Sequence, residues 1–268
     1  MDLFYLALLL SFIEGLTEFL PVSSTGHLIL ATELLHVQGP TIKTFLIVIQ
    51  LGAILAVVVL YWKRFLGLLL PRKDVPFSGL RGIWLLFLTS LPAALVGLFF
   101  GSFIKQTLFA PLPVLLALVA GALIMLFAES RQMGERVASL DAITPKLALG
   151  IGCFQTLAVL WPGFSRSAAT IIGGMLLGAS RKTAAEYSFI AAVPIMIAAT
   201  GYEIVSNRHL FSTDDLAFFA VGMIGSFFFA LLAVKLFIML LGRMTLRPFA
   251  VYRLVLAPLV YYYMAMHS

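Results

Sequence analysis

The sequence predicts an all-α, polytopic integral membrane protein built as two inverted-topology repeats, each a re-entrant broken helix plus three transmembrane helices. Three observations predict it. The chain has 268 residues, is 62% hydrophobic and only 11% charged, with a mean hydropathy of +1.06; a soluble domain carries roughly a quarter charged residues. Six apolar segments approach the about 20 residues that a helix needs to cross the hydrocarbon layer. Two more are apolar but stop at a proline followed by a polar cluster. No polar run is long enough for a soluble domain, so residues 1–268 are read as one membrane domain, with repeat 1 about 1–140 and repeat 2 about 141–268.

In chain order, Leu3–Leu20 is the first broken element, followed by Pro21 and a short helix over Leu28–Leu35. Met1-Asp2-Leu3 lacks the basic start of a secretory signal peptide, so this segment is expected to be retained. Full spans are expected at Thr44–Trp62, Gly82–Phe100 and Pro113–Ala128. The second broken element is Leu147–Trp161, followed by Pro162-Gly163 and a short helix over Ala168–Leu177. Three more spans follow at Ala185–Ile204, Leu216–Leu241 and Phe249–Ala265. Neither broken pair is long enough for two crossings, so each is expected to enter and leave on one side, with its irregular backbone buried in protein.

The net charge of +6 falls between apolar spans. It therefore reads as membrane topology and attraction to anionic lipid rather than to nucleic acid. Lys63, Arg64, Arg72, Lys73, Arg81, Arg131, Arg136, Lys146, Arg181, Lys182, Arg243 and Arg247 fall on one side, taken as cytoplasmic. Only Lys43, Lys105 and Arg208 fall on the other. Lys235 and Arg253 lie near the inner ends of their spans, where they are expected to snorkel; Arg166 alone has no such explanation. With three spans between them, the two broken elements enter from opposite faces. Aligning Pro21 with Pro162 places Glu14 on Gln155, Ser24 on Ser165 and Thr25 on Arg166, a trace of the repeat. The single cysteine, Cys153, excludes an internal disulfide.

Two polar stretches carry the chemistry. The first, EGLTEFLPVSSTGH, runs from Glu14 to His27. Glu14 and Glu18 are four apart and share a helix face. Ionised carboxylates in hydrocarbon cost about 2–3 kcal/mol each on insertion scales, so they face either a wet crevice or a ligand. Two carboxylates with phosphate oxygens suit a divalent cation, and one carboxylate beside another suits a general base. Pro21 stops the half-helix, and Ser23 or Ser24 can cap the next one. Ser23, Ser24 and Thr25 together exceed what one cap requires, and a helix N-terminus there makes an anion site. His27 lies three residues past Ser24, able to face the same ligand. The second stretch, PGFSRSAAT, runs from Pro162 to Thr170. Arg166 in an apolar setting needs an anionic partner: Glu14 or Glu18 as an ion pair, or a phosphate gripped by the guanidinium fork. Ser165, Ser167 and Thr170 lie within a turn of it and can donate to the same oxygens.

These two stretches, with their spacing, resemble the undecaprenyl-diphosphate phosphatase family, the bacterial bacitracin-resistance phosphatases. The resemblance covers essentially the whole chain, with no departure at a motif residue. It implies an inner-membrane enzyme that removes one phosphate from undecaprenyl diphosphate. The product is the lipid carrier recycled for peptidoglycan synthesis. It also implies a need for a divalent cation, Mg²⁺ or Ca²⁺. By resemblance, Glu14, Glu18, Ser24, His27 and Arg166 are catalytic, with Glu14 and Glu18 also the metal ligands. Ser23, Thr25, Ser165, Ser167 and Thr170 bind phosphate. The expected partners are the polyprenyl diphosphate and membrane lipid, with no nucleic acid; a homodimer is compatible with the pattern. The site is expected to open to the periplasmic side.

Three mechanisms fit these residues: attack by Ser24 with Glu18 or His27 as base, attack by metal-bound water, and a phosphohistidine on His27. The runner-up function is a secondary transporter or lipid flippase, since broken helices and inverted repeats recur there.

Overall fold

The computed structural model describes residues 2–72, 74–108, 110–131, 134, 136–208, 215–241 and 244–267. Eleven α-helices order the described residues. The first break lies between α1 (Leu3–Thr17) and α2 (Ser24–Leu34). There follow α3 (Pro40–Leu60), α4 (Trp62–Leu69), α5 (Gly79–Thr107) and α6 (Pro111–Ser130). The second break lies between α7 (Pro145–Leu160) and α8 (Arg166–Leu176). The chain ends in α9 (Arg181–Ser206), α10 (Leu216–Leu241) and α11 (Arg247–His267).

Among the described residues, α3, α5, α6, α9, α10 and α11 are the six helices long and apolar enough to cross a membrane, and α1 and α7 are the two shorter apolar ones. All six expected spans and both breaks are therefore found. Lys73 and Arg243, used in the charge argument, lie outside the described residues, as does the side chain of Lys105.

The sequence does not announce α4: Trp62 is expected to end a span, but the chain restarts there as a helix whose Gly67 and Leu68 are buried. The basic pair Lys63 and Arg64 reads as a loop because the apolar run around it is only eight residues, too short for a crossing. The segment after α6 is partly anchored. Val137 forms an isolated bridge with Ala179. Asp141 takes Arg64 at 3.1 Å and the Phe77 N–H at 2.8 Å.

The two halves of the chain interlock. α1 packs on α10, and α7 packs on α5, so each broken helix leans on a span from the other half. Close approach needs glycine at both contacts. A Cβ on Gly15 would lie 2.7 Å from the Ser226 carbonyl oxygen, and one on Gly152 would lie 2.6 Å from that of Thr89. Between these pairs, α3 meets α9 and α10, and α6 meets α11. A continuous apolar core runs from Phe19 at the first break through Ile54, Met125, Ile171 and Phe189 to Phe237. It brings the two breaks together at its edge.

Candidate active site

Both half-helices begin in the same way. Ser23 caps α2 with its Oγ accepting from the Gly26 N–H at 3.3 Å, and Ser165 caps α8 with its Oγ accepting from the Ala168 N–H at 3.2 Å. Both serines hold a left-handed backbone, φ 75° and 79°, sparsely populated for a residue with a Cβ. Such strain, of order 1–3 kcal/mol, persists where surroundings impose it and clusters at functional sites. The capped helices are each 11 residues long. Matching the caps pairs Ser23 with Ser165 and Ser24 with Arg166, one residue out from the proline alignment. The reason is local: Pro21 stands three residues before its helix and Pro162 four before its own. The same register sets Phe45 on Tyr187, both fully buried.

Glu18 joins the two breaks. Its Oε1 accepts from Arg166 Nη2 at 2.7 Å, and its Oε2 accepts from the Ser24 hydroxyl at 2.5 Å. The side chains of Arg166 and Glu18 are only 16% and 11% exposed. In such shielded surroundings a charged pair interacts far more strongly than at a surface. Arg166 also lies over the Phe19 ring, 5.4 Å from its centroid, and Nη2 contacts Met196 Sδ at 2.9 Å. The other terminal nitrogen, Nη1, is buried without a hydrogen-bond partner.

Glu14 is fully buried, and neither of its carboxylate oxygens has a hydrogen-bond partner. It feels the charges of both Glu18 and Arg166. A bare carboxylate in this position is costly unless a proton or a cation joins it. Its two orphaned oxygens, next to Glu18 on one helix face, therefore fit a divalent cation. Among the described residues no cluster of three or more His, Cys, Asp or Glu side chains could hold a metal, so other ligands would have to come from substrate oxygens or water.

His27 is engaged elsewhere. Its Nδ1 lies 2.7 Å from the Ser23 carbonyl oxygen, and its Nε2 lies 2.6 Å from the Tyr252 hydroxyl, with the two rings stacked. A carbonyl only accepts, so Nδ1 carries the proton, and in the neutral ring Nε2 accepts from Tyr252. The hydroxyl of Ser24 therefore donates to Glu18 and not to the imidazole.

Of the remaining expected residues, Ser167 donates to the Leu20 carbonyl at 2.8 Å, tying the second break to the first, and pairs with Ser165 at 3.0 Å. Thr170 is fully buried; its hydroxyl donates to the Arg166 carbonyl at 2.9 Å and pairs with the Ser188 hydroxyl at 2.6 Å. Thr25 sits half-buried in the first turn of α2.

One expectation is overturned. Arg253 does not snorkel: it is fully buried. Its guanidinium donates to Leu118 and Ala117 of α6 at 3.1 Å each, to Pro21 and Gly163 at 3.4 Å, and to Phe164 at 2.9 Å. One side chain from α11 thus holds the backbone of both breaks. Snorkelling failed as an account because the unpaired carbonyls of two irregular loops need a donor in a place without water. The sequence carried one signal for this, an arginine within the last apolar run. Its room is made by Gly121, where a Cβ would stand 2.3 Å from Nη2.

Comparison with known proteins adds to this geometry. Residues 7–259 match the family described as bacitracin resistance protein BacA. The chain is 64% identical over 264 residues to the undecaprenyl-diphosphatase of Desulfovibrio desulfuricans, covering 98% of this chain and 99% of that protein. It is 64% identical over 259 residues to the undecaprenyl-diphosphatase of Nitratidesulfovibrio vulgaris strain DP4, covering 97% of each. It is 55% identical over 258 residues to that of Lawsonia intracellularis, covering 96% of each.

Proposed function

Because the chain belongs to the bacitracin resistance protein BacA family, we propose that it hydrolyses undecaprenyl diphosphate to undecaprenyl phosphate and inorganic phosphate. This recycles the lipid carrier for peptidoglycan synthesis and confers bacitracin resistance. The observation that carries the reading is Glu18, bonded on one oxygen to a serine hydroxyl and on the other to an arginine from the opposite break. That is a nucleophile, its base and an anion clamp in one cluster.

The diphosphate enters by replacing Glu18 as the partner of Arg166. The guanidinium, with Nη1 still unpartnered, grips oxygens of the terminal phosphate, and the N-terminus of α2 adds backbone donors. Ser24 Oγ attacks the terminal phosphorus while Glu18 takes the hydroxyl proton. The bond to the bridging oxygen breaks, and undecaprenyl phosphate leaves. Water then attacks the phosphoserine and inorganic phosphate is released. Positioning and charge stabilisation do most of the work in phosphoryl transfer. A divalent cation, held by Glu14 and Glu18, would neutralise negative charge on the diphosphate.

The protein is a multi-pass membrane protein; we place it in the bacterial inner membrane, with the site opening on the periplasmic face. The matched caps of α2 and α8 support two oppositely inserted repeats. The test is phosphate release by purified protein in detergent, with and without chelator. Release from undecaprenyl diphosphate that stops on chelation is expected. No release under any cation would overturn the reading and leave a carrier that moves lipid without cleaving it.

A further inference from the structure

Ser23 and Ser165 hold the same left-handed backbone, but the two breaks restrain it differently. In the second break the carbonyl just before the serine, that of Phe164, accepts from Arg253 at 2.9 Å. In the first break Arg253 reaches Pro21, at 3.4 Å. A further restraint falls there on the serine's own carbonyl. The Ser23 oxygen accepts from the His27 backbone N–H at 3.2 Å and from the imidazole Nδ1 at 2.7 Å. The residue matched to His27 in α8 is Ala169, whose N–H bonds the Ser165 carbonyl at 3.0 Å and whose side chain has no donor. A capped, left-handed serine therefore needs no imidazole to form, and one stands only at the break that carries Ser24.

The Ser23 carbonyl and the Ser24 N–H belong to one planar peptide unit. A donor that fixes the carbonyl fixes that plane, and with it the direction in which Ser24 projects its hydroxyl toward Glu18. The restraint matters most once a diphosphate has drawn Arg166 away from Glu18, when the carboxylate is no longer held from the other break. Only an imidazole protonated on Nδ1 can serve, because a carbonyl only accepts. Which ring nitrogen carries the proton is set by the bond made at the other. Here that bond is to the Tyr252 hydroxyl, 2.6 Å from Nε2, with the two rings parallel to within 6°. Tyr252 directly precedes Arg253 on α11, so successive residues of one helix restrain the first break by separate routes.

We propose that Tyr252 is a positioning residue for this reaction. It holds His27 in the Nδ1–H form, and His27 aims Ser24 through the Ser23 carbonyl, taking neither a proton nor a phosphoryl group itself. The proposal rests on the hydrolase reading above, with Ser24 as nucleophile and Glu18 as base.

Amide substitutions separate the two ring nitrogens. Asparagine places a side-chain N–H where Nδ1 stands and offers no base. Glutamine reaches toward the Nε2 position and leaves the Ser23 carbonyl without its second donor. In phosphate release from undecaprenyl diphosphate, His27→Ala should lower kcat about 10²-fold, the cost of a misplaced reacting group, with KM little changed. His27→Asn should recover most of that loss and His27→Gln little of it. Tyr252→Phe should lower kcat about tenfold, the worth of one ordinary hydrogen bond. His27→Asn as inactive as His27→Ala while still folded on gel filtration, or a phosphohistidine trapped from the wild type, would overturn the proposal. A readout independent of turnover is heteronuclear NMR of the imidazole nitrogens at neutral pH, the His27 signals being those lost in His27→Asn. The wild type should show a protonated Nδ1 and an unprotonated, hydrogen-bonded Nε2, and Tyr252→Phe should show both tautomers. A wild-type Nε2–H or imidazolium would overturn the assignment whether or not any variant folds. If the wild type itself releases no phosphate, the hydrolase reading falls and the proposal with it; if it does, the variants and the tautomer decide.

Discussion

Glu18 serves two partners of different kinds, and its substitutions separate them. Glu18→Gln keeps the shape but takes no proton, and turnover should fall by about 10²–10⁴, the range for general-base loss. Arg166→Ala removes the clamp and should cost about 10³ or more; circular dichroism should show the helices intact. Arg166→Lys should recover only part of this, because an ammonium is a point charge without the bidentate fork. Ser24→Ala tests the nucleophile: no phosphorylated enzyme should be trapped and turnover should drop to background. Full turnover without an adduct would favour attack by water. The acids, hydroxyls and arginine of this cluster were legible in the sequence, because each is conspicuous in an apolar run. Their pairing was not. Ser24 could have bonded to Glu18 or to His27 on spacing alone, and it is Tyr252, 225 residues from His27, that occupies the imidazole.

At the level of elements, helix starts and helix contacts decide the geometry. Ser23→Ala removes the cap of α2 and should cost about 1 kcal/mol, read as a lower melting temperature with the spans intact. Gly152→Val places side-chain atoms against the Thr89 carbonyl, 2.6 Å from the ideal Cβ. Overpacking of this kind costs about 1–3 kcal/mol and should separate α7 from α5, displacing Arg166 and lowering activity together with stability. The spans and breaks could be read from hydropathy because length and proline determine them. The glycine contacts could not, since a glycine in an apolar run looks the same whether it faces lipid or a neighbouring backbone. The short α4 escaped for the related reason that eight residues satisfy no membrane-crossing criterion.

For the whole molecule, the question is what holds two loops, about 140 residues apart in sequence, in register. Ser167 on the Leu20 carbonyl gives one link, and Arg253 supplies several at once. Arg253→Met would leave buried carbonyls in both loops without a donor, at about 1–3 kcal/mol for each one orphaned. Loss of folded protein on gel filtration is the expected outcome. By contrast Lys182→Ala, a change at the exposed start of α9, should leave both folding and turnover as they were. The arginine that ties the loops belongs to α11, which a ribosome makes after both loops and after every residue of the Ser24–Glu18–Arg166 cluster. A nascent polypeptide arrested before that point would already contain Glu18, Ser24 and Arg166 and yet lack the staple that aligns them. Catalytic competence should accordingly appear only once α11 has been released into the bilayer and Arg253 can reach both loops.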